Sequence, residues 1–420
     1  MRFVINGGKK LKGEVTIAGS KNAATPIIAA TLLAKTPVTL SNIPKVGDVL
    51  TMLRILESMG SRVRWLDDHA LEIVNKDIDP SRLDQNLVCK IRSAILIIGP
   101  LLARFGKLVI ATPGGCHIGS RPIDTHLESL KALGAIINFD RETGLYEISL
   151  ENPSKNEVIL REFSVTATEN LLMLGGRHPL TIKLAAAEPH VVDLGNFLLK
   201  LGVEVGGLGT HTVRLRPPSS LPIKTLEHSI VSDPTEVGTF AILGAATKSE
   251  ISLTPIISDH LDAVLEKLRE MGVVFETHGE KLLINGPAGN LKAAKIETRP
   301  FPGLPSDLQA PFGVLATQAH GASLIFDTLY DGRLKYIDEL KKMGAEATIL
   351  DPHRALIKGP AVLNGTKVES LDLRAGATLV IAALIAKGES ILEGAEQIDR
   401  GYERIDFRLQ QLGADILRIP

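Results

Sequence analysis

Six times along the chain an amphipathic stretch ends in Leu-Gly or Met-Gly and gives way to a short β-branched segment. The endings are Met59-Gly60, Leu133-Gly134, Leu201-Gly202, Met271-Gly272, Met343-Gly344 and Leu412-Gly413. Successive glycines lie 74, 68, 70, 72 and 69 residues apart, and 420/6 is 70. A period this regular implies a repeated supersecondary unit. In Leu261–Gly272, apolar residues at 261, 264, 265, 268 and 271 form one helical face. The glycine then stands where a helix ends in the left-handed conformation, which side chains with a Cβ disfavour. Val273–Thr277, Ala135–Phe139, Val203–Val205 and Ala414–Leu417 follow as strands.

A second class of helix, apolar nearly all round, is predicted over Asn22–Leu33, Cys89–Leu102, Glu236–Ala246 and Arg374–Ala386. Such helices must be buried on several sides, so sheets and amphipathic helices should surround a helical centre. Six units divide naturally into two groups of three. The Pro/Ser-rich segment Arg216–Thr225 precedes a boundary near residues 225–232. Two early strands, Arg2–Ile5 and Glu14–Ile17, fit either half.

Composition narrows the function. Forty-seven Lys+Arg against 48 Asp+Glu give a formal charge of −1. This excludes the positive field of a nucleic-acid clamp or a polybasic membrane binder. The 44% hydrophobic, 23% charged and 4% aromatic content is that of a globular chain with an aliphatic core. Two cysteines, Cys89 and Cys116, make neither a disulfide framework nor a structural zinc site. The N-terminus lacks a signal peptide's apolar core. The longest apolar runs, Pro26–Ala34, Ala94–Ala103 and Ala377–Ala386, hold nine or ten residues, where a membrane span needs about 20. A cytoplasmic protein without membrane attachment is expected.

Chemistry concentrates in few places. Ala111–Asp124 carries three glycines and two prolines around Cys116, with His117 beside it and Arg121 five residues on. That composition makes a loop. A thiol near positive charge can serve there as proton donor or nucleophile on a lid, or it is an incidental surface thiol. Arg92, Arg121, Arg333, Arg374 and Arg400 stand in apolar or tightly turned contexts, and Lys21-Asn22 opens a buried helix. A cation at a helix start opposes the dipole and needs an anionic partner. Several such groups gathered together would suit a small, highly anionic substrate, although each alone is also explained as a surface charge. Asp307 and Asp372 are candidate general bases beside those arginines, or else a cap and an ion-pair partner. There is no phosphate-binding P-loop. Gly206–Gly209 lies between two strands and reads as a hairpin. The 11 histidines show no metal-ligand spacing. No cofactor is expected: no metal, nicotinamide or pyridoxal phosphate.

Gly13–Ala23, Pro113–Asp124, Ala167–Asn170, Asp372–Arg374 and Ile398–Ile405 match, in order and spacing, motifs of one family. From end to end the chain resembles the enolpyruvyl transferases that act on UDP-N-acetylglucosamine in peptidoglycan synthesis. The resemblance implies an α/β fold, an inside-out α/β barrel of two domains with three repeats each. The first domain would cover 21–229 and the second 1–20 plus 230–420, with the active site in the cleft between them. It implies transfer of the enolpyruvyl group of phosphoenolpyruvate to the 3′-hydroxyl of UDP-N-acetylglucosamine, through a tetrahedral ketal, with release of phosphate. By resemblance Lys21, Arg121 and Arg400 contact phosphate, and Arg333 and Arg374 clamp the carboxylate. Cys116 is the thiol that donates a proton or assists product release, and the one that fosfomycin alkylates. Asp307 is the base near the sugar hydroxyl and Asp372 sits beside the reacting carbon. Asn22, Arg92 and the Leu329 backbone contact sugar or nucleotide. Arg121, Pro122, Ile123, Asp124 and Thr125, with Ser164, Val165 and Thr166, form the uridine-diphosphate pocket. The chain departs from the family at Thr166, Glu162, Gln397, Pro234 and in Leu329–Arg333, which bears on nucleotide affinity and acceptor identity. The alternatives are a related transferase with another acceptor, and a non-catalytic nucleotide-sugar binder.

Overall fold

A computed structural model describes residues 1–114, 123–219 and 225–420. Two compact units emerge, one formed by 1–18 and 232–420, the other lying within 19–231. The chain thus changes unit at Ala18/Gly19 and Val231/Ser232, two residues from the positions read from sequence at each crossing.

All six repeat glycines end a helix with positive φ, from +85° at Gly202 to +106° at Gly60. The amphipathic helices before them are Gly47–Ser58, Asp124–Ala132, Pro189–Lys200, Asp262–Glu270, Tyr336–Lys342 and Ile405–Gln411. In the first, the amide of Ser61 donates to Leu56 O (3.1 Å) across the turn. The same closure links Ala135 to Leu130 and Ala414 to Leu409. It satisfies carbonyls that a helix end otherwise leaves open.

Among the described residues each unit contains three sheets, and one strand plan recurs. A short edge strand runs parallel to a central strand, which pairs antiparallel with the second strand of a hairpin. Lys295–Glu297, Gly321–Phe326, Arg354–Gly359 and Glu346–Asp351 follow this order. The sheet of Lys107–Ala111, Leu145–Ser149 and Ile136–Asp140 lacks the parallel edge among the described residues. The early strands complete sheets of the 232–420 unit. Arg2–Asn6 lies between Glu389–Glu393 and Asp415–Ile419, and Lys12–Thr16 is the parallel edge beside Glu250–Thr254. Conversely, Leu226–Ser229 is the parallel edge beside Val38–Ser41. Strands 204–206 and 212–216 form the hairpin expected around Gly206–Gly209.

Buried helices occupy the centre of each unit. In the 232–420 unit they are Pro234–Ala246, Gln309–Ala316 and Leu373–Ile385, which touch one another. Every residue of Gln309–Ala316 is buried. In the other unit they are Lys21–Ala30, Ile98–Phe105 and Val165–Leu174. Sequence periodicity did not identify Gln309–Ala316 or Val165–Leu174. The expected helix Cys89–Leu102 is corrected: Gln85–Val88 is a single turn capped at Cys89, Arg92–Ile97 is 3-10, and the α-helix begins at Ile98. Pro100 has no N–H to bond back to Leu96, which would cost a hydrogen bond in a helix already under way at Leu96, whereas in a first turn the missing donor costs nothing. No helix among the described residues is long and apolar enough to cross a membrane.

Candidate active site

In the 232–420 unit, four of the singled-out residues line one small cavity: Asp307, Arg333, Asp372 and Arg374, with Ser306, Gln309, Ala310, Tyr336 and Ala375. Asp307 lies in the 3-10 turn Ser306–Leu308 that leads into Gln309–Ala316. Two glycines leave room beside this turn and along the helix it leads into. A Cβ on Gly238 would come within 2.3 Å of Leu308, and one on Gly313 within 2.3 Å of the Tyr336 hydroxyl.

The Asp307 carboxylate is divided between two guanidiniums. Oδ1 accepts from Arg333 Nη1 at 2.8 Å, and Oδ2 from Arg374 Nε at 3.1 Å, with Arg374 Nη2 at 3.0 Å. Burial alone would lower the pKa of both arginines, but Asp307, joined by Tyr330 and Asp327 at Arg333 and by Tyr402 and Asp233 at Arg374, raises both. Neither is a surface charge: their side chains are 12% and 7% exposed.

Arg374 is also fixed from behind. Its Nη1 donates to the Tyr402 hydroxyl (3.1 Å), which lies 2.8 Å from Thr239 Oγ1. Thr239 in turn donates to the Thr235 carbonyl (2.8 Å). The bonds therefore run in one direction, from guanidinium through phenol and hydroxyl to a helix carbonyl. Burial raises the Tyr402 pKa, partly offset by Arg374, so the phenol stays protonated as this chain requires. Asp372 caps Leu373–Ile385, accepting from the amides of Arg374 (2.7 Å) and Ala375 (3.0 Å). The cap holds Arg374 at the first turn of a buried helix. Arg400 ends the 3-10 helix Ala395–Arg400 and contacts Gln397 Oε1 at 3.4 Å. The departure at 397 therefore acts directly on a candidate phosphate ligand.

Asp327 was not singled out by sequence. Fully buried, its Oδ1 accepts from Thr298 Oγ1 (3.1 Å) and the amides of Leu329 (3.0 Å) and Tyr330 (3.1 Å), while Oδ2 accepts from Ser306 Oγ. One carboxylate thereby ties the Asp307 turn to the backbone at Leu329. The only sequence signal was an aspartate at the end of an apolar strand.

The other unit carries the remaining described candidates. Lys21 is the first residue of its helix, and Asp48 supplies the expected anion at 3.2 Å, the pair being 15% and 9% exposed. Asn22 follows, half-buried. Ser164 caps Val165–Leu174 by accepting from the Ala167 amide, and Ile123 precedes Asp124–Ala132. The Thr166 hydroxyl lies 2.9 Å from His126 Nε2, and Thr125 donates to Glu162 Oε1 at 2.7 Å. Two departures from the family pattern, Thr166 and Glu162, are therefore satisfied by neighbours within this unit. Burial, helped by the Arg92 charge, pulls the His126 pKa down to about 3. Arg92 opens the 3-10 helix Arg92–Ile97. Cys116, Arg121 and Pro122 lie outside the described residues.

The His126 environment predicts a pH response. The unfolded chain binds a proton near the ordinary value of 6.5, the folded one only near 3. Stability is therefore undiminished above 6.5 and falls as the pH drops from there towards 3. Urea melts across that window should show a decline that His126→Gln flattens. An identical slope in both proteins would remove His126 as its source.

The chain matches the family described as EPSP synthase (3-phosphoshikimate 1-carboxyvinyltransferase) over residues 5–409. Curated relatives include UDP-N-acetylglucosamine 1-carboxyvinyltransferase 1 of Carboxydothermus hydrogenoformans, 41% identical across 100% of this chain and 98% of the relative. The UDP-N-acetylglucosamine 1-carboxyvinyltransferase of Halothermothrix orenii is 40% identical, covering 100% and 99%. Among solved structures, the enolpyruvyl transferase NikO from Streptomyces tendae superposes with a TM-score of 0.89 at 23% identity, over 99% of this chain and 98% of that one. EPSP synthase from Acinetobacter baumannii gives 0.71 at 18%, covering 99% and 100%. Those two likenesses establish the two-domain α/β fold, and the full-length identity of about 40% goes further: the chain is a member of the UDP-N-acetylglucosamine 1-carboxyvinyltransferase family.

Proposed function

We propose that this protein transfers the enolpyruvyl group of phosphoenolpyruvate to the 3′-hydroxyl of UDP-N-acetylglucosamine, releasing phosphate, the entry reaction of peptidoglycan synthesis. The observation that carries the reading is the Asp307 carboxylate held between Arg333 and Arg374. One base beside two cations suits a carboxylate-bearing substrate that is gripped next to a hydroxyl to be deprotonated.

In this mechanism Arg333 and Arg374 take the substrate carboxylate, while Lys21, Arg121 and Arg400 take its phosphate. Asp307 accepts the proton of the 3′-hydroxyl as that oxygen attacks C2, and Cys116 delivers a proton to the methylene carbon. The tetrahedral ketal then loses phosphate and a methyl proton to restore the double bond. Asp372 stands beside C2, and the fixed charges stabilise its cationic character without reorganising. Asn22, Arg92, the Leu329 backbone, and residues 121–125 and 164–166 hold the nucleotide-sugar. An incoming carboxylate competes with Asp307 for the same guanidinium edges, and this exchange would take those two cations from the base when substrate binds. With only two cysteines and an exposed free thiol at Cys89, the protein suits the reducing cytoplasm.

The test is phosphate release from phosphoenolpyruvate with UDP-N-acetylglucosamine, with shikimate 3-phosphate, and with no acceptor. Release with the nucleotide-sugar alone supports the reading. Release with shikimate 3-phosphate instead, or with neither in a folded sample, removes the named acceptor. Arg374→Lys keeps the charge but loses the planar fork, which should cost about 1.5–3 kcal/mol in kcat/KM. The loss should appear mainly in KM for phosphoenolpyruvate, and unchanged kinetics would take Arg374 out of the clamp.

A further inference from the structure

A crevice in the 19–231 unit is lined by Lys35, Lys76, Asp77, Ala103, Arg104, Phe105 and Arg177. It lies at the C-terminal ends of that unit's three buried helices: Lys35 follows the turn ending at Leu33, Arg104 is in the last turn of Ile98–Phe105, and Arg177 follows Leu174. Lys21 and Ser164 stand at the opposite ends of two of these helices. Ten α-helical residues and three 3-10 residues put about 20 Å between Lys21 and this end.

Cations at helix C-termini have an ordinary explanation, because they complement the dipoles. Arg104 does this in part, donating to the carbonyls of Leu32 (2.8 Å) and Lys76 (3.2 Å). The charge balance exceeds that need. Three C-termini carry about −1.5 charges in all, whereas four cations and one carboxylate sum to +3. Among the described residues none of the four cations is ion-paired with a carboxylate, and Arg177 Nε is buried without a hydrogen-bond partner. Arg104 and Arg177 are close enough to repel: burial and then Arg177 lower the Arg104 pKa. A surplus of positive charge, one unsatisfied buried donor and an open crevice occur at one place.

We propose that this crevice binds a compact polyanion, either a phosphoryl group or a di- or tricarboxylate, separately from the substrates. The anion would bridge Arg104 and Arg177, with Lys35 and Lys76 closing over it. The test is hydrogen-exchange mass spectrometry on the full chain, with inorganic phosphate in one arm and citrate in the other. Peptides spanning 31–36, 74–79, 103–107 and 175–179 are expected to gain protection in at least one arm, and the arm identifies the source. In Lys76→Gln/Arg177→Gln the concentration for half-protection should rise at least about tenfold, the loss of one charge-assisted contact. Phosphate protection at Lys21 should be unchanged in that variant, which separates the crevice from the substrate end. No protection of these peptides in either arm would overturn the proposal, leaving the cations as helix caps. Protection that the double variant retains in full would overturn it as well.

Discussion

Asp307→Asn is expected to lower kcat by about 10²–10⁴-fold, the range for loss of a general base, while KM for phosphoenolpyruvate stays the same or falls. The split follows from the geometry. In the structure Asp307 occupies Arg333 and two donors of Arg374. An amide offers those donors one neutral oxygen and one NH₂ that cannot accept, so the arginines become more available to the substrate carboxylate. A residue that merely braced the cavity would instead raise KM and lower stability together. Steady-state kinetics with both substrates varied, alongside a thermal melt, distinguishes the two. A kcat within a few-fold of the parent would end the case for Asp307 as the base.

Two charge arrangements with different purposes thus share the 232–420 unit. In the proposed mechanism the Asp307 pair would be exchangeable, because a carboxylate-bearing substrate would replace the carboxylate it contains. The chain from Arg374 through Tyr402 to Thr239 is fixed, every member being buried, and keeps Arg374 oriented while its outer edge changes partner. Preorganisation of this kind limits the reorganisation that the transition state would otherwise require.

The repeat was legible because one physical need, a left-handed helix end, recurs six times and selects glycine each time. Buried helices were legible only when unbroken. Gln309–Ala316 begins with an amide and contains Pro311, and Val165–Leu174 interrupts its apolar run with Thr166, Thr168, Glu169 and Asn170. Tertiary partners satisfy some of those polar groups: Asn170 accepts from the Gly99 amide (2.7 Å) and donates to Ile95 O (3.0 Å). No local pattern announces such bonds. The site divides the same way. Arginines in apolar settings advertise a need for anions, so Arg333 and Arg374 could be named. The supports of these arginines and of Lys21 could not, since Asp327, Thr239 and Asp48 look like ordinary polar residues until folding brings them 21 to 163 positions across the chain. Tyr402 lay inside a recognised motif, yet its role emerged only from the bond to Arg374.

Glu236→Ala is expected to cost about 3–5 kcal/mol of stability, the range for stranding one member of a buried ion pair. Glu236 Oε1 accepts from the Ala18 amide at 2.9 Å and from Arg408 Nη2 at 2.6 Å, and its side chain is 4% exposed. Arg408 also donates to Thr16 O at 2.7 Å and lies over the Phe240 ring. Burial would lower its pKa, but Glu236, with smaller contributions from Glu403 and Tyr402, raises it. One carboxylate therefore joins the end of the early strand Lys12–Thr16 to the helices Pro234–Ala246 and Ile405–Gln411, closing a unit whose parts lie more than two hundred residues apart in sequence. Removing it leaves a buried guanidinium and an unpaired amide, each with a desolvation cost. Glu236→Gln should lose less, because its amide oxygen can still accept from Ala18. Denaturant midpoints at unchanged m read the difference directly, and a loss below about 1 kcal/mol in the alanine variant would show that water or neighbouring groups already stabilise Arg408. Thr239 sits on the same helix one turn on, so fully retained turnover in folded Glu236→Gln would locate the function of Glu236 in assembling the unit and leave the orientation of Arg374 to Tyr402.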